Sequence, residues 1–172
     1  MSIDVKRIHI IGRKNHGKTS LVIDLVEEIT SRGLSVGTIK HTHHHHELDA
    51  PGKDSHKHRT AGAEVVGVMS HSLSAVFIPS PLTPRTEDRY TRLSFAFKNC
   101  DLVIVEGDTE TMAPKIEVWR RALGTTPLAA KDERVLAVVT DDQLTIDTPV
   151  HARKDVVALV TWILRTLKVV QS

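Results

Sequence analysis

Two glycines, a lysine and a hydroxyl stand near the start of the chain at a spacing that can hold a polyphosphate. The run Gly12-Arg13-Lys14-Asn15-His16-Gly17-Lys18-Thr19 fits G-x-x-x-x-G-K-[ST], the phosphate-binding P-loop. Its chemistry is the capture of several negative charges at once. N–H groups in the first turn of a helix lack intrahelical partners and sit at the positive end of the helix dipole. Gly12 and Gly17 allow the main chain to approach an anion closely, because neither carries a Cβ. In this pattern Lys18 reaches the β- and γ-phosphates and the Thr19 hydroxyl ligates Mg²⁺. Arg13, Lys14, Asn15, His16 and Ser20 make up the rest of the cradle.

A metal beside such a loop needs a carboxylate at the C-terminal end of a neighbouring strand. Glu106 follows the apolar run Leu102-Val103-Ile104-Val105 and precedes Gly107, which is the expected place. Asp101 begins the same run, falls at the far end of the sheet and reads as a strand cap. Asp49, after the second strand, is a further metal-side candidate, with a solvated loop acid as the equal alternative. In Val138-Val139-Thr140-Asp141-Asp142, Asp141 stands where guanine-specific P-loop proteins hold the base edge. Strand-end aspartates are also common turn formers.

Seven of the eleven histidines lie between His41 and His58, four of them consecutive from His43 to His46. Three uses compete: a solvated polar loop, a transition-metal store, and an anion site with His41, Lys53, Lys57 and Arg59. The segment leaves the C-terminal end of the second strand, the ligand-binding edge of open α/β sheets, which favours the anion. Metal stores usually recruit cysteine as well, and the single cysteine, Cys100, lies far along the chain. Arg120 and Arg121 are the candidates for an arginine finger acting across a dimer.

The elements that position these residues follow from periodicity. Residues 7–11 read as a buried strand, and Leu21, Val22, Leu25, Val26 and Ile29 recur at helical spacing up to a stop at Gly33. Residues 35–40 form a second strand. Strand, helix and strand at this spacing make a βαβ unit whose strands run parallel with a right-handed crossover. Residues 41–63 show no apolar periodicity and read as a long functional loop. Residues 64–69 and 73–78 form a hairpin across Ser70-His71-Ser72. Pro79, Pro81 and Pro84 break regular structure, after which a helix capped by Thr86 places Tyr90, Leu93 and Phe97 on its inner face. Residues 101–105 give a central parallel strand. Residues 115–119 and 135–139 are further strands, and 155–167 form a last helix. The expected fold is a single α/β domain over 1–172. It has a mostly parallel P-loop NTPase-type sheet flanked by helices, with an appended β-hairpin.

At 172 residues the chain is long enough for one domain with a proper core. A hydrophobic share of 40% and a charged share of 26% are ordinary for a globular protein. A net charge of +2 argues against a nucleic-acid surface and for local anion binding. One cysteine excludes an intrachain disulfide framework and fits a reducing compartment. No apolar run approaches the roughly 20 residues of a membrane span. The start runs directly into the first strand, so a cytoplasmic location is the expectation.

These motifs resemble the molybdopterin-guanine dinucleotide biosynthesis protein B (MobB) family over most of the chain. The likeness begins with the P-loop and continues through Gly37-Thr38-Ile39-Lys40-His41-Thr42-His43-His44. Asp49, Pro51-Gly52-Lys53-Asp54-Ser55, Arg59 and Ala61-Gly62-Ala63 keep the family's order and spacing. Asp101-Leu102-Val103-Ile104-Val105-Glu106-Gly107 and Pro114-Lys115-Ile116-Glu117-Val118 complete it. One departure stands out: Asp108-Thr109 replace the family's usual Phe-Lys. The resemblance implies a homodimeric protein that binds GTP and Mg²⁺, hydrolyses GTP weakly, and takes molybdopterin as a further ligand. It implies a role beside the molybdopterin guanylyltransferase that attaches GMP to molybdopterin, with the histidine loop near phosphates or pterin. The rivals are a nickel- or zinc-delivery GTPase, for which a cysteine motif is missing, and a nucleotide kinase, for which an Arg-rich lid is missing.

Overall fold

Six short strands rich in Ile, Val and Leu form one sheet in a computed structural model that describes residues 6–42, 47–79 and 90–169. Contacts divide the chain into two units, residues 1–42 with 89–172, and residues 43–88.

In the first unit β1 (Arg7–Ile11) leads through the P-loop into α1 (Lys18–Ser31), which ends before Gly33 in a left-handed conformation. β2 (Val36–Lys40) follows. In the second unit come α2 (Asp54–Thr60) and the antiparallel hairpin β3 (Val66–Met69) and β4 (Ser74–Phe77), with Val66 opposite Phe77. The chain then supplies β5 (Leu102–Glu106), β6 (Lys115–Val118), β7 (Val135–Val139), β8 (Val150–His151) and α3 (Val156–Thr166) to the first unit.

The sheet order is β2-β5-β1-β6-β7-β8, and every pairing is parallel. β1 and β2 are therefore parallel, as the βαβ reading requires, but they are not neighbours. β5 lies between them, with Ile104 opposite both Ile8 and Thr38. The reason is burial. All five residues of β5 are buried, so it takes an interior position, whereas β2 exposes Thr38 and Lys40 and suits an edge.

One apolar cluster joins Leu21, Leu25 and Ile29 of α1 to Leu159, Val160 and Ile163 of α3, over Ile8, Ile10, Ile104 and Ile116 of the sheet. A smaller cluster gathers Ile11, Trp119, Ala129, Val135 and Val138. α3 is capped by Asp155, whose side chain accepts from the Ala158 N–H.

Two sequence expectations are corrected, and one strand was not anticipated. The stretch 41–63 is not structureless, for it contains α2. No residue of α2 is buried, so hydrophobic periodicity could not reveal it. Asp54 in its first turn and Lys57, His58 and Arg59 in its last match the helix dipole. The helix expected after Thr86 is, from Thr91 to Ala96, a 3₁₀ turn. Asp101 N–H is already bonded to Ser35 O four residues after Phe97, which leaves no length for a full helix. Pro81, Pro84 and the Thr86 cap lie outside the described residues. β8 was not anticipated, since two residues carry no period. No helix among the described residues is long and apolar enough to cross a membrane.

Candidate functional site

The P-loop joins β1 to α1 through three residues with positive φ: Gly12 (140°), Asn15 (67°) and Gly17 (94°). Asparagine is among the few side chains that tolerate this region. A Cβ on Gly12 would stand 2.5 Å from the Val118 carbonyl oxygen, so the end of β6 packs directly on the loop. A Cβ on Gly17 would stand 2.9 Å from Arg120 Nη2, so the Arg120 guanidinium lies against the chain's own loop. α1 begins with no side-chain cap and no acid in its first turn. Lys18 Nζ folds across the loop and donates to Arg13 O at 2.8 Å. Burial lowers its pKa, Glu106 opposes that shift, and Lys40 adds to it.

His16 is 1% exposed, and its ring is spent inside the protein. Nδ1 accepts from the Arg120 N–H at 3.1 Å, and Nε2 lies 3.3 Å from Thr125 Oγ1. With Nδ1 accepting, the proton belongs on Nε2, which donates to the threonine. Burial first, then Lys18, Arg120 and Arg13, lower the His16 pKa and keep the ring neutral. It clasps the P-loop to the segment after β6 and so holds Arg120 in place. Motif matching assigned His16 to the cradle and could not see this clasp.

Glu106 ends β5 beside β1, and its side chain is nearly enclosed. Thr19 Oγ1 donates to Glu106 Oε1 at 2.8 Å, and Lys40 Nζ forms an ion pair with the same oxygen. The Lys40 ammonium marks the spot as a seat for positive charge. One hydroxyl and one carboxylate fit a hard, oxygen-seeking ion such as Mg²⁺, which keeps waters and phosphate oxygens as its other ligands. Among the described residues no group of three or more His, Cys, Asp or Glu forms a metal cage. His41 N–H donates to Glu106 O at 2.9 Å, so the start of the histidine segment is tied to the same strand end.

Asp49, Lys53 and Arg59 belong to the second unit. Asp49 is buried and accepts from Ser55 Oγ at 2.7 Å. Arg59 donates to Glu47 Oε1 at 2.7 Å, with its Nε 3.7 Å from Asp49 Oδ2. The Asp49 N–H and then Arg59 lower the Glu47 pKa. Lys53 is exposed at the start of α2. His43 to His46 lie outside the described residues.

Asp141 follows β7, is exposed, and accepts from the Lys154 N–H at 3.2 Å. With Arg120, Thr140, Asp142 and Arg153 it lines a cavity of about 210 Å³. Arg121 is committed within its own chain: its N–H donates to Asp142 Oδ2 at 2.8 Å and its guanidinium to Gln143 O.

The two residues that replace the family's Phe-Lys make contacts of their own. Asp108 accepts from the Tyr90 hydroxyl at 2.7 Å, and the Arg7 guanidinium lies 4.1 Å over the Tyr90 ring. Thr109 O accepts from Lys115 Nζ at 2.7 Å. His9, packed edge-on to Tyr90, pairs its Nδ1 with Gly107 O at 3.2 Å. Burial pushes its pKa down to about 4, so the neutral ring donates to that carbonyl.

A parallel sheet whose first strand runs through a glycine loop into a helix, with a carboxylate from the adjacent strand against the loop threonine, defines a P-loop NTPase fold. Residues 7–141 match the family model described as molybdopterin guanine dinucleotide synthesis protein B, MobB. The chain belongs to the MobB family. It is 36% identical over 147 residues to the molybdopterin-guanine dinucleotide biosynthesis adapter protein of Haemophilus influenzae, covering 86% of this chain and 81% of that one. The Escherichia coli protein of the same name is 31% identical over 153 residues, covering 88% and 87%. Among solved structures, Bacillus subtilis MobB is similar with a TM-score of 0.66 at 22% identity, over 97% of this chain and 99% of that one. At that identity the likeness speaks to fold alone.

Proposed function

We propose that the chain is a GTP- and Mg²⁺-binding accessory protein of molybdenum cofactor maturation that assists attachment of GMP to molybdopterin. The names of its relatives support the pathway. The observation that carries the nucleotide reading is the Thr19–Glu106 hydrogen bond at the mouth of the P-loop, with Lys40 on the same carboxylate oxygen. Lys18 leaves the Arg13 carbonyl to meet the β- and γ-phosphates, and the α1 N-terminus faces the same charge. Thr19 and Glu106 hold the metal side. Arg120 lies against Gly17 within reach of an anion in the loop. The cavity beside Asp141 receives the guanine edge. On this reading the protein works in the cytoplasm, as a homodimer, alongside the molybdopterin guanylyltransferase. Nothing among the described residues or the relatives favours the metal-delivery reading.

Titration with a fluorescent GTP analogue tests the assignment. Lys18→Ala should weaken binding about tenfold or more, since a hydrogen bond to a charged group contributes roughly 1.5–3 kcal/mol. Equal affinity in a folded Lys18→Ala protein would overturn it.

A further inference from the structure

A second hollow, of about 180 Å³, opens next to the P-loop and shares no lining residue with the cavity beside Asp141. Arg13, Thr109, Thr126, Pro127, Leu128 and Lys131 are among the residues that line it. Its walls are held in place from behind. The buried carboxylate of Glu117 accepts the N–H groups of Leu128 and Ala129, each at 2.9 Å, and so pins the turn that carries Lys131. Lys115, fully buried, pins the Thr109 carbonyl.

The charge count decides what fits. Asp132 is the one acid among the lining residues, and it is shared by two cations. Lys115 Nζ is 2.5 Å from Oδ2 and Arg134 Nε is 2.8 Å from Oδ1. Those two cations hold its carboxyl well below the usual range. Arg13 and Lys131 are exposed, and neither side chain makes a hydrogen bond or ion pair with any described residue. Arg13 also lowers the pKa of the Glu117 carboxylate behind the wall, which burial raises, so Lys131 is the cation with no acid of its own and the lining carries no acid beyond the shared Asp132. Arginine and lysine in this arrangement recognise phosphate oxygens. Pro127 and Leu128, both half-buried, supply an apolar wall for a ring, with the buried Ile11 behind the loop. The volume lies below the roughly 300–1,000 Å³ of a full ligand pocket, enough for a phosphate and one ring edge but not for a second nucleotide.

We propose that this hollow is a second ligand site, taking a phosphomonoester carried on a flat heterocycle and holding it beside the nucleotide loop. It rests on and deepens the functional reading above, in which GMP is attached to molybdopterin, a pterin. Pterin fluorescence gives the test, with 6-hydroxymethylpterin monophosphate as probe and the unphosphorylated pterin and inorganic phosphate as comparisons. The intact chain, loaded with GDP and Mg²⁺, should bind the phosphorylated probe saturably and the free pterin about tenfold or more weakly. Lys131→Glu and, separately, Leu128→Asp should each weaken the probe by a similar factor, with melting temperatures recorded so that a misfolded variant is set aside. If one variant misfolds, the other and Lys131→Ala decide. Absence of saturable binding, equal affinity in folded Lys131→Glu and Lys131→Ala, or competitive displacement of the probe by GDP would overturn the site. The two readings fail separately. A chain that binds the probe but not GTP loses the nucleotide assignment and keeps this site, and a chain that binds GTP but not the probe does the reverse.

Discussion

Adding one methyl group to either P-loop glycine should have different consequences, because the two methyls meet different neighbours. At Gly12 the new Cβ would lie 2.5 Å from the Val118 carbonyl oxygen, nearly an ångström inside ordinary contact. That oxygen is backbone at the end of β6 and cannot swing aside, so β1 and β6 must part. Overpacking of this kind costs about 1–3 kcal/mol, and a positive φ without glycine adds about 1–3 more. Gly12→Ala should therefore lose about 2–6 kcal/mol, or roughly 4–24 °C of melting temperature for a chain of this size. At Gly17 the Cβ would lie 2.9 Å from Arg120 Nη2, the far end of a flexible side chain. That guanidinium can move, leaving mainly the strain of φ 94°, about 1–2 kcal/mol or roughly 2–8 °C. Gly17→Ala should instead lose more GTP affinity than its stability loss suggests, since it displaces Arg120. Thermal unfolding followed by circular dichroism, with nucleotide titration of both variants, separates the effects. A Gly12→Ala protein that melts within about 2 °C of the parent, or above Gly17→Ala, would refute the packing argument.

Other outcomes follow from buried charge. Asp132→Asn leaves the fully buried Lys115 ammonium with neutral acceptors only and no opposing charge, and urea unfolding should show a loss of about 3–5 kcal/mol; a loss below 1 kcal/mol would contradict the ion pair's role. His9 is held neutral, with a folded pKa of about 4 against 6.5 unfolded. Its contribution is therefore complete above pH 6.5 and drains away as pH falls toward 4, by about 3 kcal/mol in all. His16 and His151 shift the same way, so His9→Gln should make the acid-side loss of stability shallower without abolishing it. Parallel losses between pH 6.5 and 5 would count against His9. Steady-state phosphate release should stay below about one GTP per minute, as for unassisted P-loop GTPases. Several turnovers per second without a partner would make the protein a stand-alone NTPase.

Short-range order was written plainly in the chain. The P-loop spacing, the apolar runs of the strands, the stripe of α1 and the position of Glu106 after a run of branched apolar residues are all local patterns. Local patterns are what period and motif can read. What lay beyond them depends on contacts between distant residues, or on segments with no buried face. β5 separates β1 from β2 because it is the more completely apolar strand, a comparison that only the assembled sheet makes. The Thr19–Glu106 bond spans 87 residues and the His16–Arg120 clasp 104. Nothing near His16 in sequence distinguishes a buried clasp from a cradle residue. Asp108 and Thr109 differ from the family pattern on paper, yet only the folded chain brings Tyr90 to the first and Lys115 to the second. α2 hides from periodicity because it buries nothing, and β8 because two residues have no period. Residue type and spacing thus determined the phosphate loop and its strand, while tertiary packing decided which side chains stand around that loop and which charges they leave unpaired.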